Sequence, residues 1–136
     1  MPENTILIID DSRFLVQAYS RTLRDAGYRV LTASDGQSGI AVARKENPNL
    51  IVLDILMPGL SGVDVLRSLK STPSTSDIPI LVISSLTERN ADKLIQEGAT
   101  AYCEKNSLTS ENMEAAIDRI LRSRWAVPRP SYAISL

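Results

Sequence analysis

Carboxylates, a hydroxyl and one lysine stand at the ends of short apolar runs in this chain, and their chemistry depends on whether those ends meet. Leu50-Ile51-Val52-Leu53 runs into Asp54, and Thr5-Ile6-Leu7-Ile8-Ile9 runs into Asp10-Asp11. Ile78-Pro79-Ile80-Leu81-Val82-Ile83, with its proline near the start, is followed by Ser84, and a weaker run, Ala101-Tyr102-Cys103-Glu104, by Lys105. Four consecutive large aliphatics suit a strand buried on both faces of a parallel sheet, so each polar group falls where a strand runs out toward solvent. Ligands bind at that edge of open parallel sheets, because loops from several strands converge there. Carboxylates gathered at one edge can ligate a hard cation or act as nucleophiles, and a lysine beside them can neutralise an anion. The chain has no histidine. A His-based hydrolytic triad, a histidine zinc site and a phosphohistidine on this chain are therefore excluded.

The segments between these runs have helical character. Ser12 opens a pattern with Phe14, Leu15, Ala18, Thr22 and Leu23 on one side, closed by Gly27. Arg29-Val30-Leu31-Thr32-Ala33 is a half-polar strand, and Asp35 caps a helix that carries Ile40, Ala41 and Ala43 to a stop before Pro48. After Met57-Pro58-Gly59, Ser61 and Asp64 form a capping-box-like pair for a helix with Val63, Leu66 and Leu69 inward, ending near Thr72-Pro73. A short, weakly amphipathic helix is expected from about Glu88 to Glu97, ended by Gly98. The last helix begins between Ser107 and Ser110 and places Met113, Ala116, Ile117, Ile120 and Leu121 on its core stripe.

Five strand-helix units without a hairpin signal imply a parallel sheet with right-handed crossovers. The runs ending at Asp10, Asp54 and Ser84 are nearly all apolar and belong at the centre; those at Arg29 and Ala101 are more polar and belong at the edges. The fold class is therefore α/β: a flavodoxin-like (βα)5 three-layer sandwich with strand order 2-1-3-4-5, in which Asp10, Asp11 and Asp54 become neighbours. A length of 136 residues suits one domain. Residues 1–124 are assigned to it, and 125–136, with Pro128 and Pro130 and no helical period, to a C-terminal tail or linker. Fifteen basic against 16 acidic residues give no field that favours nucleic acid or an anionic membrane, and Cys103 has no partner for an internal disulfide. With no leader pattern after Met1 and no apolar run near 18 residues, a cytoplasmic protein is the expectation.

On these residues the chain resembles a bacterial response-regulator receiver domain, from about Ile6 to Leu121. The resemblance rests on Asp10-Asp11, on Asp54 with Met57-Pro58-Gly59 and Gly62 downstream, on Ser84, and on Lys105. Singly, each has a plain structural reading as cap, turn or surface residue; caps and turns give no reason for acids, a hydroxyl and a lysine to collect at one sheet edge. The resemblance implies that Asp54 is phosphorylated by a histidine kinase or histidine phosphotransfer protein. It also implies that Asp10 and Asp11 bind Mg²⁺ together with Asp54 and the carbonyl of Leu56, that Ser84 and Lys105 contact the phosphoryl group, and that Tyr102 joins Ser84 in switching. A downstream effector protein, or an output domain beyond the present sequence, would read the switch, and a phosphorylation-dependent homodimer is compatible with it. No direct role with nucleic acid or membrane is implied.

The chemistry fits. Phosphoryl transfer requires a nucleophile held in line and positive charge on the equatorial oxygens, and Mg²⁺ takes six hard oxygen ligands, one or two of them commonly carboxylate. Three carboxylates, one dication and one ammonium sum to zero charge. Two departures from the family pattern stand out: Asn106 follows Lys105 where most receivers have proline, and Ser84 replaces the commoner threonine. Leu56 and Leu86 are apolar at positions that modulate phosphoryl lifetime in the family. Two other readings compete, a degenerate receiver serving only as a protein-interaction module and an aspartyl-phosphate phosphatase. The phosphatase reading lacks its second motif aspartate, since position 56 is leucine.

Overall fold

A computed structural model of the chain describes residues 4–55, 61–84, 91–105 and 108–123. Elements alternate strictly: β1 Thr5–Ile9, α1 Arg13–Asp25, β2 Arg29–Ala33, α2 Gly36–Glu46, β3 Leu50–Asp54, α3 Gly62–Ser71, β4 Ile80–Ser84, α4 Ala91–Gln96, β5 Ala101–Glu104 and α5 Ser110–Ser123. All neighbouring strand pairs are parallel, and the sheet order is β2-β1-β3-β4-β5, as the strand compositions predict. This is the five-stranded flavodoxin-like arrangement with helices on both faces.

Side-chain alternation divides the core into two layers. Leu7, Ile9, Ile51, Leu53, Ile80, Val82 and Tyr102 pack with residues of α2, α3 and α4. Ile6, Ile8, Leu50, Val52, Leu81, Ile83, Ala101 and Cys103 pack with α1 and α5. The five residues expected on the stripe of α5 are all buried. Near-complete burial of the three central strands explains their unbroken aliphatic runs.

Capping follows side-chain chemistry. Ser12 Oγ accepts from Leu15 N, Asp35 accepts from Ser38 N, and Ser61 Oγ accepts from Asp64 N at 3.2 Å while donating to the Asp64 carboxylate at 2.9 Å. One expectation fails. Phe14 is 78% exposed, because α1 turns Tyr19, Ser20 and Leu23 inward; nine residues before Leu23, Phe14 lies roughly 180° around the helix from it. In α2, Gly36, Gly39 and Ala43 form the buried line and Ala41 is exposed. The N-terminal part of the helix expected from Glu88, the Met57-Pro58-Gly59 turn and the tail lie outside the described residues.

Candidate functional site

Asp10 follows β1, Asp54 ends β3 and Lys105 follows β5. By strand alternation each continues the row that faces α1 and α5: Ile6 and Ile8 lead to Asp10, Leu50 and Val52 to Asp54, Ala101 and Cys103 to Lys105. β1 and β3 are direct neighbours, so the two carboxylates come together. β5 lies two strands from β3, roughly 10 Å away, a gap that a four-carbon lysine stem spans and a shorter cationic group would not. Lys105 Nζ donates to Asp54 Oδ2 at 3.0 Å and lies 3.6 Å from Asp10 Oδ2.

One oxygen from each of Asp10, Asp11 and Asp54 can be chosen so that all lie within 4.8 Å of one another, with Asp10 and Asp54 buried and Asp11 exposed. Ser12 separates the cap from the site. Its hydroxyl caps α1, and its N–H donates to Asp10 Oδ1 at 2.9 Å, which fixes that carboxylate while leaving Asp11 open. Asp10 Oδ2 is buried with no hydrogen bond, and the Lys105 ammonium is its charged neighbour. Burial holds the Asp10 carboxyl above the ordinary range, helped by the Asp54 charge; the Ser12 N–H and Lys105 oppose this. Burial also penalises the Lys105 ammonium, yet its hydrogen bond to Asp54 and the charges of Asp10 and Asp54 prevail and hold it above the usual lysine value. Buried carboxylates around an oxygen that accepts no hydrogen bond form a hard-oxygen donor set suited to a divalent cation such as Mg²⁺. A solvent-open hollow of about 270 Å³ adjoins the cluster, lined among others by Asp10, Asp11, Arg13 and Gln17.

Ser84 is fully buried at the end of β4, in the row of Ile80 and Val82 that faces α3 and α4. Tyr102 lies on that same face opposite Val82, so Ser84 is its diagonal neighbour along the adjacent strand. The site is thus two-sided: Asp10, Asp54 and Lys105 on the α1/α5 side, Ser84 and Tyr102 on the other. Tyr102 is buried despite its edge strand, because helices cover both faces of β5. Leu56, Leu86 and Asn106 lie outside the described residues. Tyr19 is a residue the sequence pattern did not single out. It is buried in the layer below the site, its phenol pushed up by burial and acted on by the charges of Lys105, Asp10 and Asp54. A tyrosine at a helix position otherwise suited to an aliphatic was the available signal.

The model for the response regulator receiver domain matches residues 6–118. The chain belongs to that family. It is a receiver domain of two-component signalling. It is 34% identical to protein PilH of Pseudomonas aeruginosa over 118 residues, covering 85% of this chain and 96% of PilH. It is 40% identical over 81 residues to the probable transcriptional regulatory protein TcrX of Mycobacterium tuberculosis, covering 60% of this chain and 34% of TcrX. The receiver thus spans about a third of TcrX. Among solved structures, the chemotaxis protein CheY4 of Vibrio cholerae superposes with a TM-score of 0.81 at 29% identity, covering 88% of this chain and 99% of that one. No helix among the described residues of the receiver is long and apolar enough to cross a membrane.

Proposed function

We propose that this receiver accepts a phosphoryl group on Asp54 and uses it to change a protein-binding surface. The observation that carries the reading is the Lys105 ammonium 3.0 Å from Asp54 Oδ2, beside a cluster of three carboxylates. An Asp54 carboxylate oxygen attacks phosphorus in the donor; the new O–P bond forms as the bond to the leaving imidazole or acetate breaks, and the leaving group departs with the electron pair. Lys105 keeps its positive charge and transfers its ion pair from the carboxylate to a phosphoryl oxygen. Asp10, Asp11 and Asp54, with the carbonyl of Leu56, would hold Mg²⁺. When bound, that ion supplies charge neutralisation for the carboxylates and the incoming phosphoryl oxygens. Partners follow from the donor chemistry: a histidine kinase or histidine phosphotransfer protein upstream, and an effector or attached output domain downstream.

Switching is assigned to Ser84, Lys105 and Tyr102. A hydrogen bond from Ser84 to the phosphoryl group contributes roughly 1.5–3 kcal/mol, whereas moving a population from 1:99 to 99:1 takes about 5.5 kcal/mol. Lys105 must therefore supply much of the remainder. Ser84 moving toward the phosphoryl group leaves the layer it shares with Tyr102, whose inward ring fills the space, and the face formed by α4, β5 and α5 changes with it. Incubation with acetyl phosphate and Mg²⁺ should add one phosphoryl group by intact-mass spectrometry, and Asp54→Asn should abolish it. Stoichiometric labelling that persists in Asp54→Asn would overturn the assignment.

A further inference from the structure

α4 is lightly anchored. Of its six residues Leu94 is buried and Ile95 packs partly against the same layer, while Asp92, Lys93 and Gln96 are exposed. Its C-terminal end is held by a different device. Glu97, directly after the helix, receives two parallel hydrogen bonds from Arg67 of α3, Nε to Oε2 at 2.7 Å and Nη2 to Oε1 at 2.8 Å. One turn further along α3, Lys70 lies against Gly98: a Cβ on Gly98 would stand 2.6 Å from Lys70 Cγ, and Gly98 adopts a φ of +116°. Lys70 Nζ in turn donates to the carbonyls of Ser76 at 3.1 Å and Ile78 at 2.8 Å, just ahead of β4. Two residues of one α3 ridge thus hold both the end of α4 and the entry to β4, the strand that carries Ser84.

We propose that the Arg67–Glu97 pair is a latch that makes the C-terminal end of α4 the fixed pivot of its motion, so that signalling displaces the end nearer Ser84 and leaves residues 97–99 in place. The regulatory half of this proposal rests on the phosphoacceptor reading. A planar guanidinium gripping both carboxylate oxygens fixes orientation as well as distance, as a lysine would not. Arg67 and Glu97 hold each other charged, the guanidinium above and the carboxyl below its ordinary value. The pair is solvent-exposed, so the latch is light and salt-sensitive.

Hydrogen exchange followed by mass spectrometry, first without any phosphoryl donor, tests the latch. Arg67→Gln and Glu97→Gln should each speed exchange of the amides from 92 to 100 by about two- to fivefold while leaving α5 unchanged. The double variant Arg67→Glu with Glu97→Arg should recover at least half of the lost protection, and 1 M NaCl should bring the native chain close to the single variants. Single variants that exchange like the native chain, or a charge-reversed double variant as fast as the singles, would overturn the latch. In a second arm with acetyl phosphate and Mg²⁺, the native chain should keep residues 97–99 protected while the single variants lose that protection. A native chain whose α4 shows no response to the donor would count against the phosphoacceptor reading and remove the regulatory half with it. The first arm contains no donor and decides the latch separately.

Discussion

Asp10 and Asp11 are adjacent in sequence and opposite in environment: one buried and fixed by the Ser12 N–H, the other exposed at the mouth of the cluster. The exposed group can turn toward Asp54 without breaking a hydrogen bond of the fold, so Asp11→Ala should weaken Mg²⁺ binding more than Asp10→Ala in a calorimetric titration. Equal or reversed losses would exchange their roles. The raised Asp10 carboxyl adds a pH dependence. A carboxyl whose folded pKa lies above its unfolded value binds protons more tightly when folded, so burying it charged costs stability above the folded pKa, and that cost is relieved as pH falls through it. The same proton competes with a cation. Mg²⁺ affinity should therefore begin to fall at a higher pH than an ordinary aspartate would cause, and Asp10→Asn should shift that onset downward.

The start of α3 and the end of β4 both abut the end of β3, where Asp54 sits. Gly62 begins α3 against the backbone of Ile55, the residue after Asp54: its N–H donates to Ile55 O at 3.2 Å, and a Cβ there would overlap the Ile55 Cα. Because backbone cannot give way as a flexible side chain does, Gly62→Ala should destabilise the domain by about 1–3 kcal/mol in urea unfolding and slow labelling of Asp54. An unchanged midpoint would show that α3 can slide. At β4 the test is functional. Ser84→Ala should leave Asp54 phosphorylatable yet reduce the exchange response of α4 and the spectral response of the Tyr102 ring. An undiminished response in the phosphorylated variant would route the signal elsewhere, with the loop after Lys105 the first alternative. The light anchoring of α4 makes it suited to report such a change, since few buried side chains among its described residues oppose its displacement.

For the whole molecule, a cation that binds only the folded state couples the site to global stability. Mg²⁺ at a hundredfold excess over its dissociation constant should stabilise by about 2.7 kcal/mol, a rise of roughly 5–10 °C in the thermal midpoint, and Asp11→Ala should shrink that rise. No rise in the native chain would mean that the carboxylates do not hold the ion. The sequence by itself determined the strand order, because burial on both faces demands unbroken aliphatic runs and so marks β1, β3 and β4 as central. It also determined that Asp10, Asp54, Ser84 and Lys105 share an edge, since each ends or follows a strand of one parallel sheet. The caps at Ser12, Asp35 and Ser61 were equally legible, being local chemistry. Tertiary structure alone decided which way α1 faces, leaving Phe14 in solvent, because a helix period allows several stripes until neighbours choose one. It alone brought Lys105 across β4 to Asp54 and left Ser84 with Tyr102 on the opposite face. And it alone paired Arg67 with Glu97, 30 residues apart on exposed surfaces, where no hydrophobic pattern records a contact.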